Sequence, residues 1–215
     1  MVEKLKGCVI GVRNSGDGGK RLTLFTAERG KIYVTAPSSR SFKYKHMASV
    51  QLYAYSEFTV FGGDGFMKLN EAALIEEFSG LRNSFTALSL AAYLADALSE
   101  FSRGDDTETH EPMLRLFLNA LYLLSEERAD ERHVKSAFEI KLLAIAGFPP
   151  DTDEIDAEVS VIEAIKYIID ADPSKAFSFK LDSEDSRSLS RIAEKSLLSE
   201  NGFMFDSLKF YNKNK

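Results

Sequence analysis

The stretch Lys4-Leu5-Lys6-Gly7-Cys8-Val9-Ile10-Gly11-Val12-Arg13, followed by Asn14-Ser15-Gly16-Asp17-Gly18-Gly19 and then Lys20-Arg21-Leu22-Thr23-Leu24-Phe25-Thr26, decides how the first third of this chain folds. Its two flanks have the apolar and β-branched content of strands. The residues between them are Asn, Asp, Ser and Gly, which suit a tight turn with positive φ. From Arg21 onward the second flank alternates Leu22, Leu24 and Thr26 against Thr23 and Phe25, as a half-buried strand does. Downstream, Gly30 sets off a third strand, Lys31 to Ala36, which Pro37 closes. A basic connection from Ser38 to His46 follows. Val50 to Phe61 and Phe66 to Ile75 then read as a hairpin around Gly62-Gly63-Asp64-Gly65. Five strands with a long connection between the third and fourth predict a small Greek-key barrel.

From Leu81 the apolar period changes from two to 3.6. Leu81, Phe85, Leu88, Ala92, Ala95 and Leu98 share one face of a helix ending near Gly104. A second helix follows Pro112 with Met113, Leu116, Phe117, Ala120, Leu121 and Leu124. A third, capped by Asp130, turns Val134, Ala137, Phe138, Lys141 and Ile145 inward and stops at Gly147 before Pro149 and Pro150. The acidic stretch from Asp151 to Glu158 leads into a fourth helix with Ile162, Ile165, Ile168 and Ile169, ended by Asp172-Pro173. A fifth runs from about Ser183 to Glu200 and ends at Gly202. Phe203, Phe205, Leu208, Phe210 and Tyr211 are too apolar for a free tail, so the end of the chain should pack against the body. The fold class expected is α+β in two domains, a five-stranded barrel over residues 1–79 and an all-helical domain over 80–215.

The chain has 215 residues, 44% of them hydrophobic and 11% aromatic, enough for a substantial core and against general disorder. No apolar run approaches the roughly 20 residues of a membrane span, and no signal peptide is evident, so a cytoplasmic protein is expected. The single cysteine, Cys8, excludes an internal disulfide and reads as a small buried apolar residue. A net charge of −6 argues against a polyanionic partner only until it is divided. Residues 1–70 hold eleven Lys and Arg against five Asp and Glu, a surplus of six, which leaves −12 on the remainder. A basic first third predicts one domain that meets nucleic acid.

Enzyme chemistry finds no footing. Gly19-Lys20 ends like a phosphate-binding loop, but Asn14 occupies the leading glycine's position and Arg21 follows the lysine. Asp151, Asp153 and Asp156 begin like a calcium loop that Ile155 and Ile162 interrupt. His46, His110 and His133 are scattered, with His110 and His133 read as surface residues near helix starts, and no structural zinc is expected. No nucleophile, acid or base can be nominated, so the protein is expected not to be an enzyme. What stands out is Ser38-Ser39-Arg40-Ser41-Phe42-Lys43-Tyr44-Lys45-His46, where cations alternate with aromatics. Cations neutralise phosphates and aromatic faces accept unstacked bases, a mixture suited to single strands. The plainer reading is a solvated loop that Phe42 or Tyr44 anchors to the barrel. Arg13, Lys20, Arg21 and Lys31 in the same domain favour binding, although strand-end lysines also blunt exposed edges.

Several of these segments resemble one family. The opening from Gly7 to Asp17, Lys20-Arg21-Leu22-Thr23-Leu24-Phe25-Thr26 and Glu28-Arg29-Gly30-Lys31 is similar to the start of RecO proteins. The resemblance continues through Glu77-Phe78-Ser79-Gly80-Leu81-Arg82, the helix Phe138-Glu139-Ile140-Lys141-Leu142-Leu143 ending Ala146-Gly147-Phe148, and Asn201-Gly202 to Ser207-Leu208-Lys209-Phe210. Many members carry four zinc-ribbon cysteines after the position of Phe148; here the insertion is lost or reduced around 148–161. The resemblance implies an OB-fold that binds single- and double-stranded DNA and anneals complementary strands. It further implies action with RecR to load RecA onto DNA coated by single-strand-binding protein, in a nucleoid-associated DNA repair role. Matched residue by residue, it points to Arg40, Lys43 and Lys45, and to Arg82. Arg132, Lys135 and Lys141 on the third helix are expected to rim a pocket for the acidic, phenylalanine-ended tail of single-strand-binding protein. The plainer reading of that helix is i,i+4 pairing, such as Glu131 with Lys135. Two other functions fit the same electrostatics or fold, a protein-interaction adaptor without strong DNA affinity and a sequence-tolerant RNA binder.

Overall fold

Five strands, β1 (Val2–Asn14), β2 (Lys20–Thr26), β3 (Gly30–Ala36), β4 (Tyr55–Gly63) and β5 (Phe66–Glu76), close into a barrel in the order β1-β2-β3-β5-β4. This computed structural model describes all residues except 1, 16–18, 38–45, 64, 65 and 103–106, and for 63 and 66 the backbone alone. Neighbouring strands are antiparallel apart from β3 and β5, which pair in parallel through Val34 with Met67 and Thr35 with Lys68. Leu5, Val9, Leu22, Leu24, Val34, Phe58, Val60 and Leu69 meet inside. Each such side chain contributes about 1.5–3 kcal/mol by leaving water. The fourth strand does not begin at Val50. Ala48–Val50 form a 3₁₀ turn that inserts Val50 into the barrel core, and the strand starts at Tyr55. Cys8 is fully buried, as expected, and burial raises its thiol far above the ordinary range.

A bulge in β1 decides which side chains face out. Val9 pairs with Leu24 and Gly11 with Thr23, so Ile10 is the extra residue. Before it the odd-numbered Leu5 and Val9 point inward; after it Val12 packs against the core and Arg13 is exposed. Without the extra residue the period of two would drive Arg13 into the barrel.

The chain divides into two units, Met1–Phe78 with Asp105–Leu114, and Ser79–Gly104 with Arg115–Lys215. The first holds the barrel. In it His110 is buried rather than on the surface, its ring edge-on to Phe25 at 6.2 Å between centroids. The described helices are α1 (Phe85–Phe101), α2 (His110–Ser125), α3 (Glu131–Ile145), α4 (Val159–Asp170), α5 (Ser183–Asn201) and α6 (Asp206–Asn214). Among them none is long and apolar enough to cross a membrane. The expected caps form. Asp130 accepts hydrogen bonds from the amides of Arg132 and His133, and Gly202 ends α5 in the left-handed region at φ 75°. The apolar C-terminus does pack: Leu208 and Tyr211 of α6 are buried, and α6 lies on α1.

Helix α3 is the centre of the helical unit, in contact with α1, α4 and α5, and every residue from Val134 to Leu143 is buried. A helix buried all round must satisfy its polar residues internally. Lys135 Nζ lies 2.7 Å from Oε1 of Glu139 and 2.8 Å from Oε2 of Glu194, and Tyr93 donates its hydroxyl to the same Glu139 oxygen. Burial pushes the Tyr93 phenol well above its ordinary range, which keeps it a donor. Lys135→Met leaves the Glu139 carboxylate in the interior without a counter-charge, held by the Tyr93 hydroxyl alone, and should lower stability by about 3–5 kcal/mol, whereas Lys135→Met with Glu139→Leu should recover most of that loss. Urea denaturation measures both, and equal losses in the two variants would show that the carboxylate does not depend on the ammonium.

Candidate nucleic-acid interface

With the core residues facing in, the opposite parity of β2, β3 and β5 and of the end of β1 forms an outer face. Strand register assembles its rows. Arg13 pairs with Arg21, Arg21 with Thr35, and Thr35 with Lys68, so one row crosses four strands. Arg13, Arg21 and Lys68 are exposed, and among the described residues none of them has an ion-pair partner. The next row is Gly11, Thr23 and Tyr33, with Tyr33 58% exposed. A third row pairs Lys31 with Phe25, and there Phe25 is fully buried beside His110. The open part of the face is therefore the first two rows.

Like charges directly opposite on neighbouring strands stand about 4.5–5.5 Å apart at Cβ and repel. Arg13 and Arg21 are such a pair. Two other cations of the barrel are neutralised, Lys4 with Glu57 at 3.5 Å and Arg29 with Glu3 at 3.1 Å. The first row keeps its charge, with Arg13, Arg21 and Lys68 available to phosphates. Tyr33 beside it offers a flat apolar surface for an unstacked base.

The expected site residues separate. Arg13 and Arg21 come together. Lys20 has the inward parity of Leu22 and lies half-buried at the strand end opposite Ala36. Lys31 lies on the outer face but in the covered row. Arg40, Phe42, Lys43, Tyr44 and Lys45 fall outside the described residues. His46, at the end of that segment, is buried with Nδ1 2.7 Å from the carbonyl oxygen of Ala72. Arg82 is exposed in a 3₁₀ turn, Ser79–Asn83, of the helical unit. The expected rim of Arg132, Lys135 and Lys141 is corrected, because Lys135 is only 2% exposed inside its ion pairs, and Lys141 donates to the Ile169 carbonyl at 2.6 Å. Only Arg132 is on the surface. The i,i+4 partner of Lys135 is Glu139, not Glu131.

Sequence reading missed Lys68 and Tyr33. Alternation with Ile32, Val34 and Ala36 marks Tyr33 as outward; Lys68 needs the parallel pairing of β3 and β5, for which the sequence has no local signal. The residues present do not fit a zinc ion either. The segment from Asp151 to Val161 holds no cysteine, and among the described residues no three His, Cys, Asp or Glu side chains lie close enough to hold a metal.

Comparison with known proteins agrees with this architecture. The family model for the recombination protein O N terminus matches residues 1–78, and that for its C terminus matches residues 82–155. The DNA repair protein RecO of Acetivibrio thermocellus is 33% identical over 147 residues, which cover 68% of this chain and 58% of that protein. The proteins of the same name from Alkaliphilus metalliredigens and Caldicellulosiruptor saccharolyticus are 31% identical over 150 residues and 33% over 147, covering 70% and 68% of this chain and 60% and 59% of theirs. This chain thus spans less than two thirds of the length of these relatives. With both halves of the family model matched in order, and a five-stranded barrel followed by helices beneath them, the chain belongs to the RecO family of DNA repair and recombination proteins.

Proposed function

We propose that this chain is a recombination mediator that acts by binding rather than by catalysis. It holds single- and double-stranded DNA on the outer face of its barrel, anneals complementary strands and, with RecR, helps to load RecA onto DNA coated by single-strand-binding protein. The observation that carries this reading is the uncompensated row Arg13, Arg21, Thr35 and Lys68. Cations that repel one another in the free protein gain most when phosphates arrive, and each contact releases condensed counterions. The row contacts backbone alone, so it serves single strands and duplexes without regard to sequence. Tyr33 adds stacking that only an unpaired base can use. Annealing follows from the same electrostatics, because cations between two strands offset their mutual repulsion. The segment bearing Arg40, Phe42, Lys43, Tyr44 and Lys45 follows β3 in the sequence and extends the same chemistry.

Salt dependence is the test. Replacing Arg13, Arg21 and Lys68 together by Ala should lower the magnitude of the log-log salt slope for single-stranded DNA by about 2, at roughly 0.7 per contact. An unchanged slope would remove the barrel face from the reading. Replacing Arg40, Lys43 and Lys45 by Ala should lower the slope by a similar amount, about 2, if that segment shares the contact. Tyr33→Ala should instead weaken single-strand binding by about 1–3 kcal/mol, with the slope and duplex binding nearly unchanged, because stacking releases no counterions. Equal weakening for single strand and duplex would show that Tyr33 does not stack on bases.

A further inference from the structure

The helical unit carries more carboxylates than cations, yet one of its clefts does not. An open cleft of about 670 Å³ is lined by Arg132, Glu184, Arg187, Ser190, Arg191 and Lys215. Helix geometry collects these groups. Glu184, Arg187 and Arg191 lie on the side of α5 away from the buried Leu189, Ala193 and Leu197, with Ser190 half-buried at the flank of that stripe, while α3 supplies Arg132 and the end of α6 leads to Lys215. Among the described residues none of the three arginines has an ion-pair partner. Two carboxylates at the ends of these helices accept from backbone amides, Asp182 from those of Glu184 and Asp185 and Asp130 from those of Arg132 and His133, and Glu184 is the one carboxylate among the residues that line the cleft. Glu194, next along α5, is engaged by Lys135.

We propose that this cleft binds the phosphodiester backbone of nucleic acid, as a second contact made by different residues from those of the barrel face. Planar guanidinium groups match phosphate oxygens in pairs, and the Ser190 hydroxyl and Lys215 ammonium add donors beside them. Among the described residues no aromatic or aliphatic side chain lines the cleft, so none of them stacks a base or seats an apolar residue there. That favours a phosphate backbone over a peptide ending in phenylalanine, and it makes binding indifferent to sequence. A protein with two such contacts can hold two strands at once. The inference rests on the reading that this chain handles nucleic acid, but not on where the barrel does so.

The test uses the full chain and a labelled thymidine oligonucleotide of about 20 residues, with four proteins: unaltered, Arg13→Ala/Arg21→Ala/Lys68→Ala, Arg187→Glu/Arg191→Glu, and all five changes combined. In the barrel-substituted background, the two glutamates should lower the remaining affinity about tenfold at low salt and reduce the slope magnitude by about 1.4. Arg187→Lys/Arg191→Lys should keep most of the binding. Both arginines are exposed, so the thermal midpoint should hold; if charge reversal unfolds the chain, Arg187→Gln/Arg191→Gln makes the same measurement. Glutamate variants that bind the oligonucleotide as their parents do would overturn the proposal. So would a polyglutamate peptide that binds through Arg187 and Arg191 where the oligonucleotide does not. Full affinity in the barrel variant with loss in the cleft variant would support the cleft and overturn the barrel reading instead.

Discussion

The parallel pairing of Val34 with Met67 and of Thr35 with Lys68 is the constraint on which the barrel and its outer face depend. It joins β3 to β5 and so turns an open sheet into a closed one, which removes two exposed strand edges at once. Closure encloses the apolar cluster of Leu22, Leu24, Val34 and Leu69, because their strands can face one another only around a ring. It also aligns the polar parity of β5 with that of β3. Lys68 reaches the row of Arg13 and Arg21 through this contact and no other.

Within that ring one inserted residue sorts charge. Ile10 shifts the period of β1, so the strand that buries Leu5 and Val9 exposes Arg13 four residues beyond Val9. The first half of the same strand carries Lys4 outward to Glu57 of β4, where the pair is neutral. The second half carries Arg13 to Arg21, where it is not. The two halves of one strand thus place a neutralised pair on one side of the bulge and a like-charged pair on the other.

The helical unit handles cations in the opposite manner. Around α3 the interior takes in Lys135 and Lys141, one held by Glu139 and Glu194 and the other by the Ile169 carbonyl, so they are internal struts. The cations of α5 stay outside because their helix has a single buried stripe. Whether a lysine is a ligand or a strut is set by how many neighbours its helix has, and a count of charges along the chain does not contain that information.

Local chemistry in the sequence by itself determined the elements. Alternation around Leu22 and Leu24, the glycine-rich turns, the caps at Asp130 and Gly202, and the change of period near Leu81 depend on neighbours a few residues away, and all are legible in order. That Arg13 and Arg21 stand side by side was legible too, since they flank the turn between two apolar strands. Tertiary structure alone decided the rest. The closing contact of β3 with β5 joins residues more than thirty positions apart and has no local signal, so Lys68 was invisible. Position 10 becomes the extra residue only when β1 must match β2 and the barrel's curvature together. Lys135 and Lys141 look like surface cations until three helices enclose α3. Propensity and turn chemistry act over one turn of chain, whereas burial and pairing partners are fixed by which distant surfaces meet.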